Sequence, residues 1–142
     1  MSAVTVWIGL EERFRTIEGL DGGVHLGEPT AIAATPYLYA AYDTADQLMR
    51  SQQPARNQDG ITHTFGVRIA FDFQDNPQAE MQLLTLADSV PAAINVDPRL
   101  GGRLPGGIAK STSALSGFAM IAKKMYRVLD FVVTVLEKRE ST

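Results

Sequence analysis

The chain has 142 residues, no cysteine, 45% hydrophobic and 20% charged residues, and a formal net charge of −3. That length fits one domain able to bury its own core, and the missing cysteines exclude disulfides and thiolate metal sites. The acidic balance speaks against a domain that binds nucleic acid broadly, which would be strongly basic. The opening Met1-Ser2-Ala3-Val4 has no basic stretch leading into an apolar core, so no secretory leader is expected. No apolar run approaches the roughly 18 residues of a membrane span. The longest, Val128–Leu136, is interrupted by Asp130 and has the length of a strand.

Residues 4–18 predict an amphipathic helix, because Trp7, Leu10, Phe14 and Ile17 share one face. Gly19 and the pair Gly22-Gly23 suit its end. Residues 30–42 predict a strand, with Tyr37 and Tyr39 on one side and Tyr42 on the other. Pro36 inside it removes a ladder donor and argues for an edge or a bulge. Residues 43–60 are polar and predict a long flexible loop, with Leu48 and Met49 as its only large apolar residues. Ile61, His63, Phe65, Val67, Ile69, Phe71 and Phe73 then alternate with polar or small residues, the signature of a strand with one face on the core.

A helix is expected from Pro77, capped by Asp75 or Asn76, with Leu83, Leu86, Ala87 and Val90 as its buried stripe. Pro91 should kink it or start a second short helix. Residues 96–107 form a Gly/Pro-rich loop. Ile108–Leu115 reads as a modest strand. Gly117–Ala122 and Met125–Glu137 read as a hairpin turning near Lys123-Lys124. The last strand is apolar on both faces and should be central, while residues 138–142 are charged and expected to fray. The order α-β-β-α-β-β-β predicts a single α+β domain over residues 1–142: a mostly antiparallel sheet flanked by helices on one face.

No catalytic constellation emerges from the residues, and no catalytic, cofactor or metal residue is assigned. His25 and His63 are far apart, and His63 on an apolar strand face reads as a hydrogen-bonded core histidine. Metal sites need three or four ligands. Asp72, Asp75 and Glu80 gather at a strand-to-helix junction, where carboxylates favour the helix dipole. Leu100-Gly-Gly-Arg-Leu-Pro-Gly-Gly lacks the Gly-Lys-Ser/Thr ending of a phosphate loop and does not run from a strand into a helix. Lys110, Lys123, Lys124 and Arg127 read as a solvated hairpin tip. Where no chemistry converges, binding or assembly becomes the expectation.

Two segments carry a resemblance. Ser89-Val-Pro-Ala-Ala-Ile-Asn-Val-Asp-Pro-Arg-Leu-Gly-Gly-Arg103 and Gly117–Lys138, set after an opening helix ending near Ile17-Glu18-Gly19-Leu20 and a helix with Ala79-Glu80, resemble the tail-terminator (tail-completion) proteins of long-tailed phages and related tail-like particles. The resemblance implies a structural virion protein rather than an enzyme, made in the host cytoplasm. It implies a ring, usually of six copies, that caps the finished tail tube and stops its polymerisation. The ring joins the tube to head-side neck or stopper proteins, and DNA passes through its lumen. No cofactor and no membrane are implied. A cyclic ring needs two different complementary surfaces on each copy. Candidate contacts are Tyr37 and Tyr39 on the Pro36 strand, Leu48, Met49 and Arg50 in the polar loop, and Asp97, Leu100, Gly101, Gly102 and Arg103. The last group is expected to serve backbone geometry beside a subunit contact. Two alternatives stay open: another neck or tail protein, such as a head–tail stopper or tube subunit, and a small α+β enzyme or ligand-binding domain using His63 with Asp72 or Tyr126.

Overall fold

The computed structural model describes residues 3–47, 58–72, 77–102 and 108–140. Helix α1 is Ala3–Phe14, and Val6, Trp7, Leu10 and Phe14 form its buried stripe. It ends earlier than its periodicity predicts. Thr16 Oγ1 donates to the Arg13 carbonyl at 2.6 Å, and the last turn tightens into bonds such as Ile17 N–H to the Phe14 carbonyl at 3.1 Å. That tight turn keeps Ile17 in the core although it lies beyond the helix. Gly22 therefore does not cap the helix. A β-carbon there would collide with backbone of the 34–36 segment, so glycine is required for a close crossing of two chain segments.

Strand β1 (Val24–Leu26) pairs in parallel with β2 (Tyr37–Gln47) at Leu38–Ala40. Strand β3 (Gln58–Phe71) follows, then helix α2 (Pro77–Val96), β4 (Ile108–Ser111), β5 (Leu115–Ile121) and β6 (Lys124–Glu140). The fold is α+β, with two helices and a mixed six-stranded sheet among the described residues. The sheet runs β1-β2-β3-β6-β4, and β5 pairs with β6 beside β4. β6 is central, as its two apolar faces predict: β3 lies along one side, and β4 and β5 follow end to end along the other. Among the described residues, every pairing but β1–β2 is antiparallel.

One sheet face carries both helices. Leu38 and Ala40, Phe65 to Phe71 at alternate positions, and Leu129, Phe131, Val133 and Val135 form the core with α1 and α2. Trp7 sits 6.1 Å from Phe65 between ring centroids, which fixes α1 over the sheet. Arg13 Nε donates to the Ala93 carbonyl at 2.9 Å and ties α1 to the last turns of α2, where a cation suits the helix dipole. The outer face has a second, smaller core: Tyr39, Ala70, Ile121, Tyr126 and Val128, with Ile32 and Tyr37 packed against it.

Several sequence expectations need correction. Pro36 stands before β2 rather than inside a strand over 30–42, and the irregularity in that strand falls between Tyr42 and Thr44. The polar stretch is not wholly a loop: 43–47 belong to β2 and 58–60 to β3, because pairing with β3 and β6 overrides weak strand propensity. β6 runs to Glu140, paired with Gln58, where a frayed tail from 138 was expected. Of the two outcomes expected at Pro91, a second short helix does not form: α2 continues through it as one helix, held by Leu86, Val90, Ala93 and Ile94 in the core. The short strand β1 has no periodic signal in three residues and was absent from the predicted order. The expectations for Phe73, Asp75 and Asn76 lie outside the described residues, as do those for Leu48, Met49, Arg50 and Arg103.

Candidate assembly surfaces

The Asp97–Gly102 turn is built by its sequence. Asp97 N–H closes on the Ile94 carbonyl at the helix end, and the Asp97 side chain accepts from Gly101 N–H at 2.7 Å. Leu100, Gly101 and Gly102 all take left-handed backbone conformations, with φ of 54°, 70° and 85°. Glycine adopts that region freely, and leucine does so at a cost. Leu100 is held there by its side chain, 1% exposed in the helix-side core. The Pro98 carbonyl then accepts from Ala109 N–H at 2.8 Å, so the turn lies along the outer edge of β4. Asp97, Leu100, Gly101 and Gly102 are thus brought into one rigid turn.

Tyr37 and Tyr39 lie on the opposite face of the sheet from Leu100. Tyr39 is buried in the outer core, and Tyr37 stacks on His25 at 4.2 Å between centroids, nearly parallel. Burial pushes both phenols above the ordinary tyrosine range. For Tyr39, a hydrogen bond and the charge of Arg68 work in the other direction. Tyr39 and Leu100 are therefore buried inside the copy, on opposite faces of the sheet, and do not themselves present a contact surface, whereas Gly101 and Gly102 are exposed.

Sequence reasoning missed the ion pair at the centre of the outer face. Arg68 Nε and Nη2 reach the Asp130 carboxylate at 2.6 and 3.0 Å, a two-pronged contact between directly paired residues of β3 and β6. The hydrogen bond to Asp130 holds the Arg68 guanidinium firmly charged against the cost of its partial burial. The pair borders a shallow depression of about 380 Å³ floored by Ala41, Gly66 and Val132, with Glu28 at its rim. A signal was present: Arg68 on the polar face of the best strand and Asp130 interrupting the last one are a cross-strand cation and anion.

The residues of the enzyme alternative do not converge. His63 is buried on the helix-bearing face, with Nδ1 3.0 Å from the Tyr42 hydroxyl. Tyr126 faces the outer core on the other side. Asp72 stands at the far end of β3, about 30 Å from His63 at ~3.3 Å per residue, with Lys124 Nζ at 3.9 Å. Glu80 pairs with Arg127, joining α2 to β6. Among the described residues, no three His, Asp or Glu side chains gather as metal ligands, and no helix is long and apolar enough to cross a membrane.

The hairpin of β5 and β6 exposes a cluster of apolar side chains. Its two-residue turn, Ala122-Lys123, has φ of 52° and 68°, the left-handed pair that lets a tight hairpin follow the sheet twist. Phe118, Met120 and Met125 stand exposed on its helix-bearing side, with the Arg127 guanidinium 5.6 Å from the Phe118 ring. Neither the models of protein families nor the curated proteins give a match to this chain.

Proposed function

We propose that this chain is a tail terminator: a virion protein whose copies close into a ring on the end of a completed tail tube. The ring stops further tube growth, meets a head-side neck or stopper protein on its other side, and lets DNA pass through its lumen. Six copies is the expected number. The mechanism is steric. The ring matches the tube end on one side and offers no new polymerisation surface on the other.

The observation that carries this reading is the Ser89–Arg103 phrase in company with the Gly117–Lys138 strand region. The structure gives both segments physical content that suits an assembly module. The first ends a long helix and aims a rigid turn along a sheet edge. The second forms the central strand and an exposed hairpin. The net charge of −3 suits a lumen that DNA must traverse without sticking, since phosphate binding rests on Lys and Arg. Negative-stain microscopy of the purified chain tests the reading. Discrete rings are expected. Long stacked tubes would make it a tube subunit, and dispersed single copies would remove the ring altogether.

A further inference from the structure

We propose that Met120 and Met125, paired across the β5–β6 hairpin, form an oxidation site at which a peroxide converts both thioethers to sulfoxides and turns the hairpin's apolar cluster polar. The site goes beyond the ring reading and does not depend on it.

The sulfur of this chain is confined to five methionines, because it has no cysteine. A peroxide therefore meets no thiolate that would react in their place. Met1 and Met49 lie outside the described residues. Met81 on α2, Met120 on β5 and Met125 on β6 are 66%, 64% and 43% exposed, so a small oxidant dissolved in water reaches all three.

Register sets Met120 and Met125 apart. They oppose each other directly, one step in from the Ile121–Lys124 pair that closes the turn. Directly opposed residues hold their β-carbons about 5 Å apart on one face. The two-residue Ala122-Lys123 turn fixes that register. Phe118 stands on the same side and completes the exposed cluster. Oxidation of the pair changes two of its three apolar side chains, whereas oxidation of Met81 leaves the hairpin as it was.

The chemistry balances with the peroxide as sole co-reactant. A lone pair on each Sδ attacks the outer peroxide oxygen, and the O–O bond breaks as the S–O bond forms. Sulfur gives up two electrons, and the peroxide takes them and leaves, with its proton, as water or an alcohol. Each apolar thioether becomes a polar sulfoxide. Both side chains stand at the surface, so the core keeps its contacts. A thiol-dependent sulfoxide reductase returns two electrons and releases the oxygen as water, which makes the change reversible.

Hydrogen peroxide on the full-length chain, followed by peptide mass spectrometry, tests the site. Met120 and Met125 should each gain one oxygen at rates within about tenfold of those in urea, as their exposure allows. The oxidised chain should elute earlier from a hydrophobic-interaction column, with an unchanged urea midpoint. Reductases for both sulfoxide epimers should restore the elution. The shift should persist in Met81→Leu, and adding Met120→Leu and Met125→Leu should cut it by at least about threefold. Slower oxidation of either methionine than this would overturn the site, whatever the number of copies in solution. So would a shift cut by less, or a urea midpoint that falls on oxidation. The mass by light scattering bears on the ring alone, so the two readings fail separately.

Discussion

At the residue scale, the turn after α2 makes the sharpest claims. Leu100 holds a left-handed backbone only because its side chain fills the core. Leu100→Ala should lower stability by about 2–4 kcal/mol, more than its exposed neighbours suggest. Gly102→Ala, with no steric neighbour but a φ of 85°, should cost about 1 kcal/mol from backbone strain alone. Urea unfolding of the two variants separates packing from strain. The expectation that Asp97, Leu100, Gly101 and Gly102 serve geometry was legible because Asp-Pro and Gly-Gly are turn chemistry. Leu100 as a core plug was not, since nothing local distinguishes it from a loop leucine.

Tyrosine burial gives a second prediction at this scale. Tyr37 and Tyr39 lose protons less readily in the folded chain than in the unfolded one. The unfolded chain therefore releases protons first as pH rises through the ordinary phenol range near 10, and folding stability must fall there. Below that range these two groups leave stability independent of pH. Tyr39→Phe should shallow the alkaline loss measured by denaturant midpoints between pH 8 and 11, and an unchanged slope would count against its burial.

At the element scale, strong periodicity was a faithful guide and weak polarity was not. The stripe Trp7, Leu10, Phe14 and Ile17, the alternation of β3 and the two-faced β6 were legible because burial leaves its period in the sequence. The ends of β2, β3 and β6 were not, because pairing along their length is decided by partners distant in sequence. Gly22 misled for a related reason, as its glycine answers a distant segment rather than the helix before it. α2 yields a test. Pro91 denies the helix one backbone hydrogen bond, while Thr85 and Ser89 hydroxyls donate to carbonyls one turn back, at 2.9 Å each. Pro91→Ala should therefore raise stability by about 1–3 kcal/mol, read as an upward shift of the urea midpoint. The Ala122-Lys123 turn offers a parallel gain: Lys123→Gly should stabilise the hairpin by about 1 kcal/mol, because glycine accepts the left-handed backbone.

At the scale of the whole molecule, the sheet separates two cores of unequal size. Helices cover one face, a small tyrosine-rich core covers part of the other, and exposed apolar residues lie on α1, α2, the β5–β6 hairpin and also at Leu26, Tyr42, Ile108 and Val132. That distribution suits a part that joins copies of itself. The surface was only half legible in the sequence. Phe118, Met120 and Met125 fall in segments that read there as a hairpin, and only the register of β5 on β6 shows that they share one exposed side of it. The most direct measurement of the central claim is the mass of the purified full-length chain by light scattering across a concentration series. A stable particle near six times the 15.4 kDa chain mass is the predicted result. A mass of one chain at every concentration, or one that grows without limit, would contradict it.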